Sequence, residues 1–164
     1  MRIYRRVKGF TLIELIMVMV VLGALAAVAA TRWSATDATA GYQADLMARN
    51  IRHMQMLAMS WGQSLRLSVV AGTTYSVTCV TANTTVPCTA GGAVIDPASG
   101  KTFSESLVYN VTLAGTAMDI DSLGRPVNGG ALLTVNQVYT LTAGAQTWSV
   151  TVNPITGFAV VSSP

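Results

Sequence analysis

The feature that most constrains this chain is a long apolar run that opens at Phe10 and contains a single carboxylate. Glu14 is the only charged residue between Phe10 and Ala30, and residues 15–30 carry no charge at all. Arg2, Arg5, Arg6 and Lys8 crowd the short segment ahead of it. A helix over residues 10–30 spans roughly 31 Å at ~1.5 Å per residue, about one hydrocarbon core. The segment reads as a membrane or filament-core helix. A carboxylate at membrane depth costs roughly 2.5–3.5 kcal/mol or more, so Glu14 reads as functional and needs a cationic partner. Cleavage after Gly9 would create one, the free amine of Phe10. An ordinary secretory signal with Ala27-Val28-Ala29 as its cut site is the competing reading. Such signals have an apolar core of about 7–15 residues, shorter than this one, and no use for a glutamate.

The stretch Gly9-Phe10-Thr11-Leu12-Ile13-Glu14-Leu15 resembles the processing motif of type IV pilin-like proteins. The resemblance implies that a prepilin peptidase cuts between Gly9 and Phe10. It also implies that the new N-terminus on Phe10 is methylated, and that Glu14 pairs with the amine of a neighbouring subunit during assembly. The implied partners are that peptidase, other pilin or pseudopilin subunits met through the N-terminal helix, and an inner-membrane assembly platform. Gly23 sits where such helices commonly carry glycine. Thr31 stands where many major pilins have a proline, which leans the chain towards minor subunits.

The formal charge of +3 comes from the leader: without it, six Lys+Arg face seven Asp+Glu. The basic pI is therefore no sign of nucleic-acid binding. Leader cations fit the positive-inside rule, with the leader cytoplasmic and the C-terminal part periplasmic before assembly into a pilus or pseudopilus. An exported domain sits in an oxidising compartment, where Cys79 and Cys88 can close a disulfide across a short loop carrying Pro87. Zinc would need about four ligands, and the only histidine, His53, lies far off on the helical segment.

Beyond Arg32 the pattern turns amphipathic. Met47, Ile51, Met54, Ala58 and Trp61 recur at helical steps, the face expected to pack on a sheet. Arg49, Arg52 and Gln55 lie off that stripe. The two helical halves read as one long helix with a soft point at Gly41 and a stop at Gly62. After Gly62 the period becomes two. Strands are expected at 64–70, 75–80, 106–113, 132–135, 139–142, 148–153 and 158–161, with a loop over 81–101. The predicted fold class is α+β, pilin-like: a long N-terminal helix whose amphipathic half packs on an antiparallel β-sheet. The organisation is a cleaved leader at 1–9, a transmembrane or filament-core helix at 10–30, an amphipathic half at 31–62 and an exported β-rich domain at 63–164.

Asp121-Ser122-Leu123-Gly124-Arg125-Pro126 and Asn153-Pro154-Ile155-Thr156-Gly157 resemble the globular region of the GspH/FimT group of minor pilins and pseudopilins. The cysteine pair and the Leu-Gly-Arg-Pro turn look most like minor pilins of the mannose-sensitive haemagglutinin (MSHA) pilus system. No nucleophile–base constellation, phosphate loop or dinucleotide fingerprint appears, so no enzyme, cofactor or metal is expected. Asp119 and Asp121 could share a strand face, but one pair falls short of the six to eight oxygens calcium takes. Arg125, Arg66 and Lys101 are too scattered for a nucleic-acid patch. The expected function is structural: a minor pilin or pseudopilin for assembly or initiation of a type IV pilus or type II secretion pseudopilus. A major pilin, or a pilus-displayed module binding DNA or a surface, is the alternative.

Overall fold

The computed structural model describes residues 11–32, 35–81 and 90–163, with the backbone alone for 28–32 and 35–38. Two compact units emerge, Met1–Ala35 and Thr36–Pro164. The leader, Gly9, Phe10 and Cys88 lie outside the described residues.

The first unit holds α1 (Leu12–Arg32). Its leucines, methionines and alanines favour helix, and each β-branched valine costs less than about 0.7 kcal/mol relative to alanine. The helix runs through Gly23, where an added Cβ would meet nothing within 4 Å. All its described side chains are exposed. Among the described residues no helix is long and apolar enough to cross a membrane. The span expected over 10–30 extends past both ends of the stretch of α1 described with side chains, which stops at Ala27.

The second unit holds α2 (Ala35–Trp61) from its second residue onward. Met47, Ile51, Met54 and Ala58 are buried as the stripe predicts, joined by Ala40, Ala44 and Ala48. The helix ends where expected. Gly62 takes φ +63°, and its N–H donates to the Met59 carbonyl while the Gln63 N–H reaches back to Ala58. This pair of bonds is a Schellman cap, which needs a left-handed residue at that position. Gly41 is not a soft point. It lies inside continuous helix, and a Cβ there would stand 3.0 Å from the Trp148 ring, so glycine serves the close seating of that indole.

Ten strands form two antiparallel sheets rather than one. β1 (Leu65–Val70), β2 (Thr74–Cys79), β3 (Ser104–Ser106), β5 (Met118–Ile120), β6 (Pro126–Asn128) and β7 (Ala131–Leu132) build the first, in the order β3-β2-β1-β5-β6-β7. β4 (Thr112–Ala114), β8 (Gln137–Ala143), β9 (Gln146–Val152) and β10 (Ala159–Ser162) build the second, in the order β10-β9-β8-β4. Inward residues of both sheets, including Leu65, Leu67, Tyr75, Val77, Met118, Ile120, Tyr139, Leu141, Val150 and Val152, share one core with α2.

The β1–β2 and β9–β10 hairpins fall where the alternation places them. Residues 106–113 do not form one strand. Tyr109 and Asn110 both take φ +57°, which breaks the run and sends its ends into different sheets. β5 and β6 fall where no strand was expected, and the strand expected at 132–135 is reduced to the two-residue edge strand β7.

Candidate functional site

At the start of α1, the sequence Thr11-Leu12-Ile13-Glu14 carries the spacing of a capping box, a hydroxyl followed three residues on by a carboxylate. Thr11 takes the capping role: its Oγ1 accepts the Glu14 N–H at 3.3 Å, and its carbonyl accepts the N–H groups of Glu14 and Leu15 at 3.1 and 3.2 Å. The cap fixes Glu14 in the first turn, at the positive end of the helix dipole, where a carboxylate is stabilised by about 0.3–1 kcal/mol at an exposed site. Glu14 borders a shallow apolar hollow lined by Leu15, Val18, Met19 and Leu22. It forms no ion pair among the described residues. Among the described residues, the structure thus places a carboxylate without an ion-pair partner at the head of an apolar helix whose described side chains are all exposed.

The second site gathers the two C-terminal motifs over α2. Asp121 closes its own turn. Its Oδ1 accepts the N–H groups of Leu123 (3.0 Å) and Arg125 (2.8 Å), and its Oδ2 accepts Nε and Nη2 of Arg125 at 2.9 and 2.8 Å. Burial pushes the Asp121 carboxyl up, but the Arg125 N–H, the guanidinium and the Leu123 N–H outweigh it and hold the pKa below its ordinary 3.8. Asn153 does the same for the other turn, its Oδ1 accepting the N–H groups of Ile155 and Thr156 at 2.9 and 3.0 Å. Pro154 starts that turn with a fixed φ.

Gln55 joins the two. Its Nε2 donates to the Gly124 carbonyl at 2.7 Å and to the Thr156 carbonyl at 2.8 Å. The approach is so close that a Cβ at Gly157 would stand 2.8 Å from the Gly124 oxygen, and one at Gly124 would stand 2.8 Å from the Met59 sulfur. One helical turn earlier on α2, Arg52 donates Nε and Nη2 to the Ala159 carbonyl at 3.2 and 2.6 Å, with its guanidinium 4.6 Å from the centre of the Phe158 ring. The clasped turns present Leu123 and Ile155 to solvent, 65% and 78% exposed. Each motif is legible in sequence as a turn. Their union is not, because a glutamine off the apolar stripe carries no signal of what it will reach.

The other singled-out residues separate. Asp119 is buried in β5 and receives Arg66 from the facing position of β1, with Nε to Oδ1 at 2.6 Å and Nη2 to Oδ2 at 2.8 Å. That pairing raises the Arg66 pKa. Asp119 and Asp121 therefore serve different arginines, and only Asp121 lies in a turn. Arg66 and Arg125 are committed to these carboxylates. Among the described residues no group of His, Cys, Asp and Glu is placed to hold a metal. His53 bonds Asp96 at 3.0 Å. Cys79 is buried at the end of β2, and its backbone bonds Gly91 and Gly92 at 2.7 and 3.0 Å, which closes the loop base. Cys88 falls outside the described residues.

Residues 4–30 match the family model described as the prokaryotic N-terminal methylation motif. No curated protein matches the sequence. Among solved structures the chain is similar to the minor pseudopilin EpsH from the type 2 secretion system of Vibrio cholerae. The TM-score is 0.55 at 13% identity, over 76% of this chain and 97% of that one. It is also similar to the type IV minor pilin FimU of Pseudomonas aeruginosa in two crystal forms. The TM-scores are 0.51 and 0.52 at 9% and 10% identity, over 76% and 78% of this chain and 94% and 92% of those. At such identities the likeness is one of fold.

The N-terminal methylation motif thus precedes an α+β unit similar in fold to a minor pseudopilin and a type IV minor pilin.

Proposed function

We propose that this protein is a structural subunit, a minor pilin or pseudopilin, that helps assemble or initiate a type IV filament. The filament is an MSHA-like type IV pilus or a type II secretion pseudopilus. The observation that carries this reading is the N-terminal methylation motif at residues 4–30 joined to a unit with the minor-pilin fold. In this reading a prepilin peptidase cuts between Gly9 and Phe10, and Phe10 is methylated. Residues 10–30 hold the precursor in the inner membrane, with the C-terminal domain periplasmic, until the assembly platform extracts it.

Glu14 then meets the amine of a neighbouring subunit. Two opposite charges brought together in a low-dielectric helix bundle offset much of each other's desolvation cost and set the axial register. The unpaired, capped carboxylate at the head of an exposed apolar helix supports that role. A Cys79–Cys88 disulfide would seal a loop whose base is already closed by the Cys79 backbone bonds to Gly91 and Gly92. The protein's work is association rather than catalysis.

Intact mass of the protein from membranes with and without the prepilin peptidase tests the processing. The expected species starts at methylated Phe10 and depends on the peptidase; a product starting at Ala30 refutes the reading. Glu14→Val is expected to be processed normally yet fail to enter filaments, and normal incorporation would remove Glu14 from assembly.

A further inference from the structure

The β6–β7 hairpin turns through Gly129 and Gly130, with φ +57° and +86°, and pairs Asn128 with Ala131. Asn128 is exposed, and its carboxamide makes no hydrogen bond among the described residues. The N–H of Gly129 is likewise unengaged in the backbone network, and the space a Cβ would fill there is empty for 4 Å. A free carboxamide thus precedes a free, unhindered backbone nitrogen in a solvent-facing turn.

No other described asparagine combines these features. The Asn50 amide bonds the Tyr75 hydroxyl at 2.8 Å. Asn153 is tied into its own turn and precedes Pro154, whose nitrogen has no proton to lose. Asn110 precedes the β-branched Val111 and Asn136 precedes Gln137, whose side chains crowd the attacking nitrogen.

We propose that Asn128 is a site of spontaneous deamidation in the folded protein. The Gly129 nitrogen gives its proton to hydroxide and attacks Cγ of Asn128. A bond forms between that nitrogen and Cγ, the bond from Cγ to Nδ2 breaks, and ammonia leaves with a proton from water. The resulting five-membered imide is opened by one water molecule at either carbonyl, giving aspartate or isoaspartate at this position. No redox partner is needed, and water is the only co-reactant. The product carries a new negative charge at the tip of the hairpin. The isoaspartate form also adds a methylene to the backbone at the corner. It thereby breaks the register that holds β7, which pairs with β6 only through Val127–Leu132 and Asn128–Ala131.

The test is incubation of the purified full-length protein in detergent at neutral and mildly alkaline pH, followed by peptide mapping by mass spectrometry. The expected result is an amide-to-acid mass gain at Asn128. It should accumulate several-fold faster at the alkaline pH, appear as a more acidic isoform of the intact protein, and vanish in Asn128→Gln. Retention of the Asn128 amide while a free peptide spanning residues 124–132 converts under the same conditions would overturn the proposal. So would conversion distributed evenly over the other asparagines.

Discussion

α1 and α2 are both long helices, and their sequences demand opposite solutions. α1 is apolar on every side, and every side chain described in it is exposed. α2 is apolar on one face, and that face disappears into the core of its own unit. A helix apolar all round must find lipid or other helices, whereas a striped one can be satisfied within its own domain. The difference separates a surface left uncovered from one that keeps the globular unit folded. The globular unit owes its stability to residues 36–163, and α1 offers a surface that only an environment or a partner can cover.

The largest expected effect that would break this comparison is a core truncation set against its counterpart in α1. Ile51→Ala should lower the unfolding free energy of the globular unit by about 2–5 kcal/mol, because a fully buried side chain is removed and a cavity remains. Val18→Ala should leave that transition within about 0.5 kcal/mol. Denaturant melts of both variants in detergent measure this, and equal losses would show that the two units fold as one.

Next in size is the clasp. Gln55→Ala removes the donor shared by the Gly124 and Thr156 carbonyls and should cost about 1–3 kcal/mol. Hydrogen exchange should rise in residues 121–125 and 153–157 while β1 and β2 keep their protection; unchanged exchange in both turns would deny that the glutamine holds them.

Acid sharpens the same point. The Asp121 pKa is depressed when folded, so its contribution is complete above the ordinary 3.8 and is lost as pH falls through the folded value. The melting temperature of the globular unit should therefore drop in that acid window, and Asp121→Asn should flatten the drop. A fall already complete near neutral pH would point to other groups.

The smallest effect has the opposite sign. The Tyr139 hydroxyl is buried without a hydrogen-bond partner among the described residues, and burial raises its pKa. Tyr139→Phe removes an unsatisfied polar atom and should stabilise by up to about 1 kcal/mol, read from the same melts. A clear loss instead would mean that the hydroxyl has a partner such as an ordered water.

Sequence legibility followed how local each determinant was. The buried stripe of α2, its end at Gly62 and the terminal hairpin rest on periodicity and turn chemistry, and all three stand. The split of residues 106–113 was hidden because Tyr109 and Asn110 take left-handed conformations with no glycine or proline to announce them. β5 was hidden because all three of its residues are buried, which erases alternation, and because Asp119 looks like a loop residue until Arg66 arrives from β1. The turns at Asp121 and Asn153 were visible, but their meeting through Gln55 spans 69 and 101 residues of sequence. At the N-terminus Gly9, Phe10 and Glu14 were legible as a motif, and the fold adds the Thr11 cap that sets where the helix begins.

The hold of Arg52 on Ala159 has a further consequence. β10 is an outer strand of its sheet, and an outer strand is a template on which another polypeptide can lengthen the sheet. A strand arriving there would meet a guanidinium already fastened to β10 and braced by the Phe158 ring. Growth of one molecule's sheet into the next is thereby discouraged at this border. For a protein proposed to polymerise through its first helix, the occupied Ala159 carbonyl leaves one acceptor fewer on this strand for a neighbouring copy's strand.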